Sequence, residues 1–294
     1  MNQLPGGTNQ SRGGVNKSPG GMKGLAVQSL GEFLGTCMFM YLAVGGANSV
    51  TQGVGTHGPA YLGEAFAFGI SLLVSAWAFF RVSSSMFNPA VAFSSMIVGD
   101  ISVLKFVMYF LSQVLGAMLG VALARGTTPP SANIQQVNEL GAGISIARAF
   151  FLEFFVTMAI CFVYHMSALE KGRGTFMMAF PYGFSVFSGH LFATRYTNAA
   201  LNPAQAFAVS VVARSFSPQH WVFWFGPLTG AILAAALHIL FRAVDFSQYT
   251  VGIDAENEAQ YQRAVAAHNA EKNRTSGSHG DTGIPGSTGG TSGY

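Results

Sequence analysis

One pattern is written twice in this chain, and the distance between its parts is the same both times. Ala65-Phe66-x-x-Gly69-x-Ser71 is followed, after sixteen intervening residues, by Asn88-Pro89-Ala90-Val91-Ala92-Phe93. Ala179-Phe180-x-x-Gly183-x-Ser185 is followed, again after sixteen, by Asn202-Pro203-Ala204-Gln205-Ala206-Phe207. Upstream of each stands Glu-Phe-x-x-Thr, at Glu32 to Thr36 and at Glu153 to Thr157, and downstream a pair of glycines four apart, Gly116/Gly120 and Gly226/Gly230. Self-similarity on this scale means one structural unit used twice.

The solvent of that unit follows from its charges. Asp, Glu, Lys and Arg together make up 9% of 294 residues and hydrophobic residues 50%, against about 25% charged in an ordinary soluble domain. Six stretches reach the roughly 20 apolar residues that a helix needs to cross a hydrocarbon core: Leu25 to Ala47, Ala60 to Val82, Val103 to Ala124, Ile146 to His165, Phe176 to Ala193 and Trp221 to Phe241. Three spans per copy is an odd number, so the second copy enters the membrane from the opposite side and the halves are inverted. The paired glycines suit close helix approach in lipid, where packing drives association. The expected fold is an all-α membrane protein of six transmembrane helices plus two re-entrant half-helices, with repeat 1 at about 24–125 and repeat 2 at about 145–245 of a membrane domain spanning 24–250.

Lys and Arg set its orientation. With the N-terminus inside, the inner segments hold Arg12, Lys17, Lys23, Arg81, Lys105, Lys171, Arg173 and Arg242, and the outer ones Arg125, Arg148, Arg195 and Arg214. The excess places both termini in the cytoplasm. Residues 1–23 and 251–294 are polar and rich in Gly, Ser and Thr, so they are expected to be disordered tails, apart from a short amphipathic helix over Glu256 to Lys272. The first span is too long for a signal-peptide core and is expected to remain as an anchor. Cys37 and Cys161 fall within spans and read as small packing residues.

Each Asn-Pro-Ala opens an apolar stretch too short to span, Asn88 to Val98 and Asn202 to Ala213. Asn is a preferred N-cap and Pro a preferred first helical residue, so both triplets are helix starts. Half-helices at membrane depth survive only inside protein or along a wet cavity. Inverted symmetry brings their N-termini together near the midplane, where two positive helix ends of about half a charge each and the amides of Asn88 and Asn202 face a narrow passage. Cations are repelled there, and a water accepting from both amides points its hydrogens away along the pore. Carbonyls of Ser84, Ser85 and Met86 before the first triplet, and of Ala200 and Leu201 before the second, are expected to line one wall.

Glu32 and Glu153 are buried carboxyls that need hydrogen bonds. No nucleophile, metal cluster or phosphate loop accompanies them, so an enzyme is not expected, nor a cofactor, a metal or a nucleic-acid partner. A secondary transporter would carry ionisable residues at mid-membrane, where this chain has Asn.

These residues resemble the aquaporin family over about 24–250, and the second half, from Phe151-Leu152-Glu153 to Gly226-Pro227, is most similar to the orthodox water channels of fungi. The resemblance implies an hourglass pore in each subunit of a homotetramer. It assigns Asn88 and Asn202 to the pore midplane, Phe68, His190 and the backbone of Ala199 to the outer selectivity filter, and Glu32 and Glu153 to supporting the backbone before each half-helix. Bulky Phe68 with His190 favours water over glycerol, since glycerol-conducting relatives have a small residue in place of the histidine and Asp where Ala206 stands.

The chain departs from that family most at Gln205, where an Arg normally follows the second triplet. A unit charge about 4 Å from a pore ion is worth roughly 4 kcal/mol at an effective dielectric of 20, so Gln lowers the barrier to cations. Ser83-Ser84-Ser85 stands where Ser-Gly is usual, and the added side chains narrow that half or shift its backbone. Ala199 replaces a mercury-reactive Cys of some water channels, and a partial substitute cation from Arg195 at the outer mouth is the lesser alternative. The expected function is a passive water channel with a filter altered by Gln205, most simply in the plasma membrane. Its rivals are a channel for hydrogen peroxide or other small neutral solutes, a weakly conducting or gated pore, and a non-conducting scaffold of the same fold.

Overall fold

A computed structural model describes residues 21–51, 59–129, 137–170, 173–249, 261–263 and 265–270. Residues 1–20 of the N-terminal tail, most of 251–294 and Lys171 lie outside the described residues. Of the helix expected over Glu256 to Lys272, the described residues 261–263 and 265–270 are helical. The chain divides into two units, Met1–Leu240 and Phe241–Tyr294, and the membrane architecture is that of the first.

The long helices are α1 (Gly21–Thr51), α2 (Pro59–Ser83), α4 (Val103–Thr127), α5 (Ile146–Tyr164, continued by a π turn over His165–Leu169), α6 (Ala179–Thr197) and α8 (Val222–Ala243). Two short ones, α3 (Pro89–Ile97) and α7 (Pro203–Ala213), follow the two Asn-Pro-Ala triplets as expected. Starts of the long helices are written locally: Ser102 accepts from the Lys105 amide at 3.2 Å and Ser145 from the Arg148 amide at 3.3 Å, ordinary N-capping.

Five of the six expected spans, α1, α2, α4, α5 (with its π turn) and α8, are long and apolar enough to cross a membrane among the described residues. The sixth, α6, has 19 residues, about 28 Å of helix, and carries Tyr182, Ser185, Ser188, His190 and Thr194 on its way across. It also runs later than Phe176 to Ala193: Arg173–Met177 forms a 3-10 turn, and the helix continues until Asn198 turns left-handed at φ 52°. Large apolar side chains such as Leu30, Leu34, Leu115, Phe151, Phe155 and Phe192 are exposed on the helices, the arrangement lipid requires.

The inverted repeat is visible in which glycine meets which backbone. A β-carbon added to Gly116 would strike the carbonyl of Phe33, and one added to Gly230 the carbonyl of Phe154; these are the residues directly after Glu32 and Glu153. Where α2 crosses α6, Gly69 and Gly183 face each other, since a β-carbon on Gly183 would lie 2.8 Å from the Gly69 oxygen and one on Gly69 3.0 Å from the Gly183 oxygen. Two equivalent positions in mutual contact lie on the axis that relates the halves.

Candidate functional site

The two half-helices begin side by side. Asn88 and Asn202 are both extended N-caps (φ −149° and −152°), and their side-chain oxygens accept from the amides of Ala90 at 2.9 Å and Ala204 at 3.0 Å. Capping uses the oxygen and leaves each Nδ2 to donate elsewhere. Asn88 donates to the carbonyl of Leu201 and Asn202 to that of Phe87, each at 2.9 Å. Every such amide has a second hydrogen.

The segments before the caps are alike in backbone as well. Ser84, Ser85 and Phe87 lie at φ 71°, 53° and 47°, and their equivalents Asn198, Ala199 and Leu201 at 52°, 44° and 51°. Side chains rarely adopt this region, and here it is held by buried acceptors. Glu32 takes the amides of Met86 and Phe87 at 3.1 and 2.9 Å and the Gln113 side chain at 2.8 Å. Glu153 takes the amides of Ala200 and Leu201 at 3.0 and 2.7 Å and the Thr197 hydroxyl at 2.7 Å. Both carboxyls are fully buried; an amide left without its acceptor there costs about 1–3 kcal/mol.

A narrow cavity runs past the asparagines. It is lined by Phe39, Leu72, Phe87, Asn88, Tyr182, Val186, His190, Leu201, Asn202 and Gln205, and leaves about 10 Å³ for the centre of a water, close to the room one molecule needs. Toward α7, Phe68 stacks on His190 with ring centroids 4.0 Å apart and 16° between planes. Neither nitrogen of the buried His190 has a hydrogen-bond partner among the described residues. Gln205 turns back, its Nε2 donating to the carbonyl of Ala199 at 3.1 Å. Phe68, His190, Ala199 and Gln205 are thus brought together, while Arg195 is exposed and does not line the cavity.

Part of the expected row of carbonyls already accepts a bond through one of its two lone pairs. Ser84 already accepts from the Tyr164 hydroxyl at 2.9 Å, Met86 from Tyr182, and Leu201 from Asn88; Ser85 and Ala200 receive no such bond among the described residues. Three tyrosines, with Tyr109 on the Ser83 carbonyl at 2.8 Å, therefore hold the segment that Ser83-Ser84-Ser85 begins. Sequence reasoning missed them, and also missed Gln113 and Asn138, whose Nδ2 reaches the Thr197 and Asn198 carbonyls at 3.3 and 3.1 Å. Their signal was available for those within spans: a polar tip in an apolar helix needs a partner. Among the described residues no group of three or more His, Cys, Asp or Glu is placed to hold a metal ion.

The family model described as Major intrinsic protein matches residues 23–238. The chain belongs to that family. As a major intrinsic protein it is a multi-pass integral membrane protein in a family of channels rather than enzymes. It is 39% identical over 214 residues to a Laccaria bicolor protein named as an aquaporin, covering 70% of this chain and 68% of the relative. It is 35% identical over 240 residues to "Aquaporin-2" of Saccharomyces cerevisiae, covering 79% and 81%. With "Probable aquaporin-5" of Gibberella zeae it shares 32% over 244 residues, 79% of this chain but 44% of that protein. In fold it resembles the aquaglyceroporin from Plasmodium falciparum, with a TM-score of 0.66 at 18% identity over 76% of this chain and 99% of that one.

Proposed function

We propose that this major intrinsic protein is a passive channel for water. The observation that carries it is the reciprocal pair Asn88–Leu201 and Asn202–Phe87, which leaves two amide donors at two helix N-termini beside a narrow cavity. Donors and positive helix ends orient a neutral dipole and oppose a cation. Phe68 and His190 size the passage toward α7, with Gln205 in place of a fixed charge, and Glu32 and Glu153 hold the backbone on either side. The family resemblance adds a homotetramer in the lipid bilayer, and the charge distribution adds cytoplasmic termini; plasma membrane is the default location.

Purified protein in liposomes under an osmotic gradient tests it by stopped-flow light scattering. Shrinkage well above that of empty liposomes, with a low activation energy, is expected; a rate equal to empty liposomes refutes the proposal.

One observation favours a second possibility, a slowly conducting pore. Phe68 and His190 are in van der Waals contact, so the passage beside them is tight. A shrinkage rate only slightly above that of empty liposomes identifies the slow pore, and peroxide uptake by the same vesicles tests the rival channel for hydrogen peroxide and similarly small neutral solutes.

A further inference from the structure

The outer filter has a counterpart by symmetry that carries an aromatic ring of its own. Positions equivalent in the two repeats differ by 114, as Asn88 and Asn202 do. Applied to Phe68 the offset gives Tyr182, to Ala199 it gives Ser85, and backwards from His190 and Gln205 it gives Ala76 and Val91. The backbone obeys the same relation: the Ala199 amide meets the Thr197 hydroxyl at 3.3 Å and the Ser85 amide the Ser83 hydroxyl at 3.3 Å. We infer that Tyr182 forms a second size-selecting constriction, on the α3 side of the asparagines and in series with Phe68 and His190.

Tyr182 lines the same cavity as Asn88, Asn202 and His190 and is 1% exposed. Its ring is held at both ends. It leaves α6 and its hydroxyl donates to the Met86 carbonyl, two residues before Asn88. Tyr164 lies edge-on to it, with centroids 5.1 Å apart and 66° between planes, and is itself tied to the Ser84 carbonyl. The place equivalent to His190 is a small residue, Ala76, whose carbonyl accepts from the Ser85 hydroxyl at 3.1 Å. Aromatic crowding at this level therefore comes from Tyr164 instead. A phenol ring fixed by a hydrogen bond to the facing wall cannot swing aside without leaving a buried carbonyl unpaired. Apolar Leu72, Phe87 and Val186, which line the cavity with Tyr182, offer a polyol few partners, so the cavity rejects by size and by desolvation. The inference rests on the channel assignment and extends its specificity to a residue outside the outer filter.

Resistances in series make the test. Glycerol and water fluxes are compared in liposomes for wild type, His190→Ala, Tyr182→Ala, the double variant, and His190→Ala with Tyr182→Phe, each checked for folding by size exclusion in detergent. Both single variants should keep glycerol at the empty-liposome rate, and the double variant should exceed either by about tenfold, equivalent to about 1.4 kcal/mol. The Tyr182→Phe combination, which keeps the ring but not its hydrogen bond to Met86, should pass less glycerol than the Tyr182→Ala double variant; if Tyr182→Ala does not fold, Tyr182→Leu takes its place. His190→Ala alone passing glycerol as fast as the double variant, or a folded double variant no faster than the singles, overturns the inference. Water flux in the same vesicles keeps the two claims apart: wild type at the empty-liposome rate refutes the water-channel assignment, while glycerol crossing the double variant alone still supports the series arrangement.

Discussion

Asn88 and Asn202 each donate a side-chain hydrogen to the carbonyl directly before the other, at the same 2.9 Å. The two helix starts are thereby cross-linked, although 114 residues separate them in sequence. Each side chain does two jobs, capping its own helix with oxygen and bracing the opposite segment with nitrogen.

Replacing only the nitrogen separates those jobs. Asn202→Asp keeps the cap on Ala204 but loses the bond to Phe87 and sets a carboxylate against the lumen. Water flux is expected to fall, and a cation current to appear in planar bilayers where wild type shows a smaller one; unchanged ion selectivity would refute the midplane role.

Gln205 calls for the opposite charge change. Gln205→Arg places a guanidinium near the Ala199 carbonyl that Gln205 now contacts. A fixed charge about 4 Å from a permeating ion opposes it by roughly 4 kcal/mol at an effective dielectric of 20, so proton and cation leak should drop measurably while water flux persists. Equal leak in both forms would remove Gln205 as the selectivity change.

Glu153 serves two amides and a hydroxyl with two oxygens. Glu153→Gln offers one oxygen and turns an NH2 group toward a donor, leaving at least one buried amide unpaired at about 1–3 kcal/mol. Thermal unfolding in detergent should shift down by several degrees, and Glu32→Gln should do the same through Met86 or Phe87. A variant as stable as wild type would show that these segments do not need their carboxylates.

Ala199 and the cysteines set mercurial sensitivity. Ala199 is buried beside Gln205, Cys161 is buried and Cys37 half-buried on α1, none of them a thiol lining the cavity. Wild-type water flux is expected to be indifferent to mercurials, and Ala199→Cys to become inhibitable and recover with a thiol reductant. Block of the wild type would point to one of the native cysteines.

Gly230 approaches the backbone of α5 closely enough that a β-carbon would overlap the Phe154 carbonyl. Gly230→Val should force the two helices apart at about 1–3 kcal/mol, read as a lowered melting temperature. Gly126 makes the control, because nothing lies near its β-position.

How much of this was legible beforehand varies by residue. Both half-helices were readable to within a residue or two because Asn and Pro act locally, on the first turn of the helix that they open. Glu32 and Glu153 were legible as structural because a carboxyl amid apolar neighbours has to find donors. Which donors was not, since Gln113 comes from another helix 81 residues away. Tyr182 went unnoticed because a tyrosine in an apolar helix looks like filling until its hydroxyl is seen on Met86, 96 residues distant.

By itself the sequence determined the number of helices, their inversion and the pairing of the two triplets, because apolar length, caps and an odd count of spans are properties of the chain alone. Only the tertiary structure decided that Phe68 lies flat on His190, that Gln205 folds back onto Ala199 and that tyrosines donate to the Ser84 and Met86 carbonyls. Those outcomes depend on which groups the packed helices bring within reach of one another, and neither spacing nor composition encodes that.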